Sequence, residues 1–248
     1  MNQTKIIAHR GSKGTHPENT LEAFKEAVRV GSDGIELDVH LSLDNELIVI
    51  HDESVERTTN GTGSIQNLTL AEIKQLDAGS WYSPEYSNCR IPTLREVFCF
   101  LEEVGYKELV NIELKTDELS YPGIEEKVLS LVNEKSWPFN VEYSSFNYQT
   151  LTQLKSLDAS CKIALLFEDT GRDVTFLSPT ISVEMWHPKL SWFREISLIR
   201  VPEIPVRVWT VNKSKDLQFC FQNQVAGIIT DYPGKALQIR NNWQYEGE

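Results

Sequence analysis

Four polar groups stand where short apolar runs stop: His9-Arg10, Glu36-Leu37-Asp38, His51-Asp52 and Glu113-Leu114-Lys115. On an extended strand alternate side chains share a face, so Glu36 sides with Asp38 and Glu113 with Lys115. Two carboxylates so close in an apolar setting repel, and one takes up a proton unless something compensates. A divalent cation compensates directly. Three carboxylates without a thiolate suit a hard, oxygen-seeking ion, Mg²⁺ or Ca²⁺, better than zinc. Taken singly, each acid is as readily part of a structural network with Lys115; the three together at neighbouring strand ends favour a metal. Imidazole ordinarily titrates near neutrality, so a histidine pair such as His9 and His51 could serve as general base and general acid. Arg10 offers forked donors to phosphate oxygens and Lys115 a point charge, although both could equally pair with Glu36 and Glu113 until substrate arrives.

Such a constellation needs rigid elements beneath it. Runs at Lys5–His9, Gly34–Val39, Leu109–Leu114, Asn140–Tyr143, Lys162–Leu166, Thr180–Val183, Val206–Trp209 and Gly227–Ile229 read as strands of a sheet buried on both faces. Helical patterns fall between them. Asn19 with Glu22 and Thr93 with Glu96 have the spacing of capping boxes, ahead of apolar positions at helical period. Further helices are expected at Gly123–Asn133, Tyr148–Ser156, Trp192–Ile199, Lys213–Gln222 and Pro233–Arg240, while Glu168–Pro179 is poorly periodic. Eight βα units in 248 residues match a TIM (β/α)8 barrel, whose catalytic groups sit at the C-terminal strand ends. A doubly wound open sheet ranks second, because alternation alone does not distinguish the two. One stretch breaks the rhythm: after the second strand come an extra strand at Leu47–Ile50, the turn-rich Thr58–Gly63 and a capping box at Thr69 and Glu72. It reads as a small cap inserted into a single domain spanning residues 1–248.

The formal net charge of −12 argues against nucleic acid and anionic membrane surfaces as partners. A small anionic substrate then needs a locally positive site, which a bound cation supplies. No signal-peptide pattern and no apolar run of membrane-spanning length are seen, so stable membrane insertion is not expected. The four cysteines are scattered and read as reduced thiols, which makes the cytoplasm the expected location. Trp81, Tyr82, Trp186 and Trp192 could form a homo-oligomer interface or pack the rim.

The runs His9-Arg10-Gly11, Pro17-Glu18-Asn19-Thr20, Glu36-Leu37-Asp38-Val39, His51-Asp52, Arg57-Thr58-Thr59 with Gly63, Ile91-Pro92-Thr93-Leu94 and Asn111–Lys115 resemble the glycerophosphodiester phosphodiesterase family. Ser145-Phe146, His187-Pro188, Trp209–Asn212 and Gly227–Pro233 continue the likeness in order, from Ile6 to about Leu237. The resemblance implies a TIM barrel with an insertion at residues 52–91 and cleavage of glycerophosphodiesters to glycerol 3-phosphate and an alcohol. By it Glu36, Asp38 and Glu113 would hold the metal, His9 and His51 would be the acid–base pair, and Arg10 and Lys115 would bind the phosphate. Phe146, His187 and Trp209 would line the substrate pocket, though barrel packing explains the two aromatics equally well. It also favours a glycerol hydroxyl over water as nucleophile. One departure is Pro202-Glu203-Ile204-Pro205 where a glycine often precedes the seventh strand. A lysophospholipase D-like or phosphatidylinositol-cleaving barrel is an alternative, disfavoured by the compact polar cap. A non-catalytic phosphodiester-binding barrel is another, disfavoured because all seven chemical residues are present.

Overall fold

A computed structural model describes residues 3–168, 182–197 and 204–245. Eight parallel strands form the wall: β1 (Lys5–Ala8), β2 (Gly34–Leu41), β4 (Leu109–Leu114), β5 (Asn140–Ser145), β6 (Ile163–Phe167), β7 (Met185–Pro188), β8 (Arg207–Val208) and β9 (Gly227–Thr230). Their order is β7-β6-β5-β4-β2-β1-β9-β8, and parallel bridges Trp186–Val206 and Lys189–Trp209 join β7 to β8 and close the ring. The remaining strand, β3 (Leu47–Val49), runs antiparallel to the end of β2. Helices α1 (Leu21–Arg29), α3 (Leu94–Glu103), α4 (Ile124–Asn133), α5 (Tyr148–Leu157), α6 (Leu190–Ile196), α7 (Ser214–Gln222) and α8 (Pro233–Tyr245) lie between and after these strands. This is the expected TIM barrel.

The strands look continuously apolar because both faces are buried, yet their two faces differ. Ile35, Leu37 and Val39 join Val110, Ile112 and Leu114 in the core cluster that also holds Phe24, Leu94, Phe98 and Leu217 of the helices. The alternate residues Glu36, Asp38, Asn111 and Glu113 fall on the other face, inside the ring. Apolar filling there is sparse: a separate small cluster of Ile7, Leu109 and Ile229, with Trp209 against it. The insertion carries its own core of Ile48, Ile50, Val55, Ile65, Ile73, Ala78 and Ile91 around the short helix α2 (Leu70–Ile73).

Both expected capping boxes at Thr69 and Thr93 form, each threonine accepting from the amide three residues on while the glutamate returns to the threonine N–H. The first helix differs. Thr20, not Asn19, is its cap and accepts from the Ala23 amide; Asn19 takes a positive φ of 54° and turns its side chain to Asp38. A strand was expected at Thr180–Val183, but β7 runs over Met185–Pro188; Thr180 and Ile181 lie outside the described residues, as do most of Glu168–Pro179 and Pro202-Glu203. The sixth helix starts at Leu190 rather than Trp192, and the last continues to Tyr245. Trp186 and Trp192 are buried against Phe167, whereas Trp81 and Tyr82 are partly exposed.

Phe98 anchors α3, with ring centroids 5.0 Å from both Trp137 and Phe139. Phe98→Ala should therefore cost about 3–5 kcal/mol in urea unfolding. A loss under about 1 kcal/mol would contradict this packing.

Candidate active site

Parallel pairing places Asp38 opposite Glu113, and Glu36 opposite Asn111 one inward step deeper. His9 and Arg10 follow β1, His51 follows β3, Lys115 follows β4, Phe146 follows β5, His187 lies within β7 and Trp209 follows β8. Nine of the ten residues singled out in the sequence line one cavity of about 330 Å³, together with Asn111, Asp117, Ser144, Leu166, Glu168 and Ile229. The tenth, Asp38, has no exposed surface and is one of the three grouped acids.

Ligand atoms of Glu36, Asp38 and Glu113 all lie within 4.8 Å of one another, at relative exposures of 3%, 0% and 8%. Glu36 Oε2 accepts the Arg10 backbone amide at 2.9 Å. Asp38 Oδ2 accepts from Asn19 Nδ2 at 2.8 Å and pairs with Arg10 Nε at 3.2 Å. Glu113 Oε1 accepts from Lys115 Nζ at 3.2 Å. The other oxygens of the first two acids, Glu36 Oε1 and Asp38 Oδ1, are buried without a hydrogen-bond partner. Buried polar atoms are rarely left so, and two on adjacent hard carboxylates are what a divalent cation would satisfy.

Electrostatics tells the same story. Burial, then the charges of Asp38 and Glu113, push Glu36 well above the usual carboxylate range. Burial raises Glu113 too, although Lys115 partly offsets it. Burial also acts on Asp38, but Arg10, His51 and Lys115 outweigh it and hold that carboxyl low. Lys115 itself is raised: Glu113 and Asp38 overcome its burial.

Each of the two histidines sits on a carboxylate. His9 Nδ1 is 2.6 Å from Asp231 Oδ1, and His51 Nδ1 is 2.6 Å from Asp52 Oδ1. An ionised acid there accepts, so Nδ1 of each ring carries a proton and Nε2 is the atom turned away from the acid. Burial and the Arg10 charge lower His9 to about 4 against the pull of Asp231, so its ring is neutral at pH 7. Asn212 grips Asp231 in turn, donating to Oδ2 at 2.7 Å and accepting its backbone N–H at 2.9 Å. His51 Nε2 lies 3.5 Å from Lys115 Nζ. His187 is fully buried, with Nε2 3.1 Å from Arg207 Nη1 and Nδ1 unpartnered. Trp209 donates to the His187 carbonyl and meets the Phe146 ring edge-on at 5.6 Å.

The turn that delivers Arg10 to Glu36 depends on Gly11. Its φ is +78°, and a Cβ there would sit 2.6 Å from the Ala23 carbonyl carbon. As anticipated, Lys115 pairs with Glu113. Arg10 does not pair with Glu36 through its side chain; it uses its backbone amide there and turns the guanidinium to Glu18 and Asp38. Asp231, Asn212, Asn19, Glu18 and Arg207 are given no role in the site by the sequence reading, although all but Arg207 lie in the runs that resemble the family. Asp231 follows an apolar run just as His9 does, so the same signal marks it; the loop residues Glu18 and Asn19 have no such mark.

A family model described as the glycerophosphoryl diester phosphodiesterase family matches residues 9–235. The chain belongs to that family. A glycerophosphodiester phosphodiesterase of Caldanaerobacter subterraneus subsp. tengcongensis is 41% identical over 242 residues, 96% of this chain and 98% of that protein. One from Bacillus altitudinis is 38% identical over 243 residues, with 96% and 98% covered. Among solved structures, an Oleispira antarctica phosphodiesterase in complex with the product sn-glycerol-3-phosphate superposes with a TM-score of 0.86. That match has 31% identity and covers 96% of this chain and 97% of the other. As a member of the glycerophosphoryl diester phosphodiesterase family, the chain is a phosphoric diester hydrolase. No helix among its described residues is long and apolar enough to cross a membrane.

The raised Glu36 pKa has a consequence for stability. Above the unfolded-chain value of about 4.3, the unfolded state releases a proton that native Glu36 retains, so stability falls as pH rises toward the native pKa. In chelator at pH 8, Glu36→Gln should melt a few degrees above wild type. Each kcal/mol relieved is worth about 2–4 °C at this size. Added Ca²⁺ or Mg²⁺ should raise the melting temperature of wild type alone; an equal rise in both proteins would remove Glu36 from the cation site.

Proposed function

We propose that this enzyme cleaves glycerophosphodiesters to glycerol 3-phosphate and an alcohol, using one Mg²⁺ or Ca²⁺ held by Glu36, Asp38 and Glu113. The observation that carries the reading is the pair of buried, unpartnered oxygens on Glu36 and Asp38 within the three-acid cluster. Its setting supports it: two histidine–aspartate pairs and two cations surround a cavity at the small end of the range for ligand pockets. The product carried by the Oleispira relative supports the substrate class. A bound cation supplies Lewis acidity toward the phosphoryl oxygens and a substrate hydroxyl. Arg10 and Lys115 meet the phosphate as fixed positive charges in a chain that is otherwise strongly acidic. His9, neutral and with Nε2 as acceptor, takes the proton of the attacking hydroxyl. His51, entering with a proton on Nε2, gives it to the departing alcohol and leaves the cyclic phosphate formed by the glycerol hydroxyl; water then opens that ring with the two histidines' roles exchanged, giving glycerol 3-phosphate. Asp231 and Asp52 hold the two rings and stabilise them when charged. Phe146 and Trp209 give the pocket an apolar wall, and His187 contributes a buried polar edge.

Glycerophosphocholine incubated with the enzyme should yield glycerol 3-phosphate and choline. EDTA should lower the rate by at least about 10²-fold, and excess Mg²⁺ or Ca²⁺ should restore it. Turnover that is indifferent to chelator would overturn the metal assignment, and absence of product in every condition would overturn the substrate class.

A further inference from the structure

Arg57 belongs to the insertion, yet its guanidinium reaches two carboxylates of the barrel mouth at once. Nε and Nη2 donate to Asp52 at 2.6 and 2.9 Å, while Nη1 and Nη2 donate to Glu18 at 3.0 and 2.8 Å. Asp52 is the acid that holds His51 Nδ1, and Glu18 also accepts from Arg10 Nη1 at 2.8 Å. Arg10 in turn pairs with Asp38. One unbroken chain of charge-assisted contacts therefore runs from His51 through Asp52, Arg57, Glu18 and Arg10 to Asp38.

We propose that Arg57 is a positioning residue for the phosphodiesterase reaction, fixing the plane of Asp52 and, through it, the His51 ring. The proposal rests on the reading of His51 as an acid–base group. A carboxylate bound only by His51 is free to rotate about its own axis. Two parallel donors from a planar guanidinium remove that freedom, and the second fork on Glu18 fixes the guanidinium itself. Glu18 is almost wholly buried and is also held by Arg10, so it is the fixed end of the chain. Removing Arg57 still leaves Glu18 with Arg10, so the buried charge keeps a partner and the fold is expected to survive. A lysine keeps the charge but cannot fork to two carboxylates together.

The test is steady-state kinetics on glycerophosphocholine at saturating Mg²⁺ for wild type, Arg57→Ala, Arg57→Lys, Asp52→Asn, the Asp52→Asn/Arg57→Ala double variant and His51→Ala. Ca²⁺-dependent melting of each protein is followed alongside. We expect Arg57→Ala to lose at least about tenfold in kcat, within the contribution of a general acid–base group, with KM changed less than about threefold. Arg57→Lys should recover less than half of that loss on a logarithmic scale and should retain the Ca²⁺-induced rise in melting temperature. The double variant should be no slower than Asp52→Asn by more than about twofold, because both changes act through one ring. Normal kcat in Arg57→Lys and Arg57→Ala, or losses that multiply in the double variant, would overturn the proposal while an inactive His51→Ala left the acid–base reading standing. A fully active His51→Ala would remove that reading, and this proposal with it. Should Arg57→Ala fail to melt cooperatively, Arg57→Lys decides alone: a kcat loss of less than about threefold overturns the proposal, and a larger loss supports it.

Discussion

Three buried carboxylates within 4.8 Å of one another are the constraint around which this barrel is organised. Left alone, such a cluster would protonate or force its strands apart. The surrounding residues hold it without dissolving it. Arg10, Lys115 and Asn19 each satisfy part of it, and two oxygens remain without partners. Full neutralisation by the protein's own cations would have left no reason for an ion to bind. On the proposed reading that incomplete compensation is what recruits a cation, and the cation, with Arg10 and Lys115, is what would draw a phosphodiester to a chain of net charge −12.

Holding charges in that arrangement requires a scaffold that does not yield. The parallel register of β2 and β4 sets Asp38 beside Glu113, and the helices pack on the outer face of the same strands. These two strands therefore serve two masters with alternate residues, an apolar set that locks them to the helices and a polar set toward their C-terminal ends that faces inward. The acidic set is affordable because the outer core is large: Phe24, Leu94, Phe98 and Leu101 are fully buried there.

Much of this was legible in the residues. Apolar runs of strand length, interleaved with helical periods, mark the barrel, and the threonine–glutamate spacings at Thr69 and Thr93 specify helix starts that the structure bears out. The polar residues closing those runs converge on one cavity. What local pattern could not show is who orients them. Asp231 reaches His9 across 222 positions, and Arg207 reaches His187 only because β7 and β8 are neighbours in the closed ring. Asn19 looked like a helix cap because its type and spacing suit one; its pull toward Asp38 is a tertiary preference that moves the cap to Thr20. The strand at Met185–Pro188 was misplaced for a related reason, since Trp-His-Pro resembles a loop until β6 and β8 flank it.

The central claim is that Glu36, Asp38 and Glu113 together hold one divalent cation. Anomalous diffraction from crystals soaked in Mn²⁺ addresses it without reference to turnover. The account predicts one dominant peak in the cavity, within about 2.6 Å of an oxygen from each of the three carboxylates. A dominant peak elsewhere, with the three acids satisfied only by Arg10, Asn19 and Lys115, would contradict it.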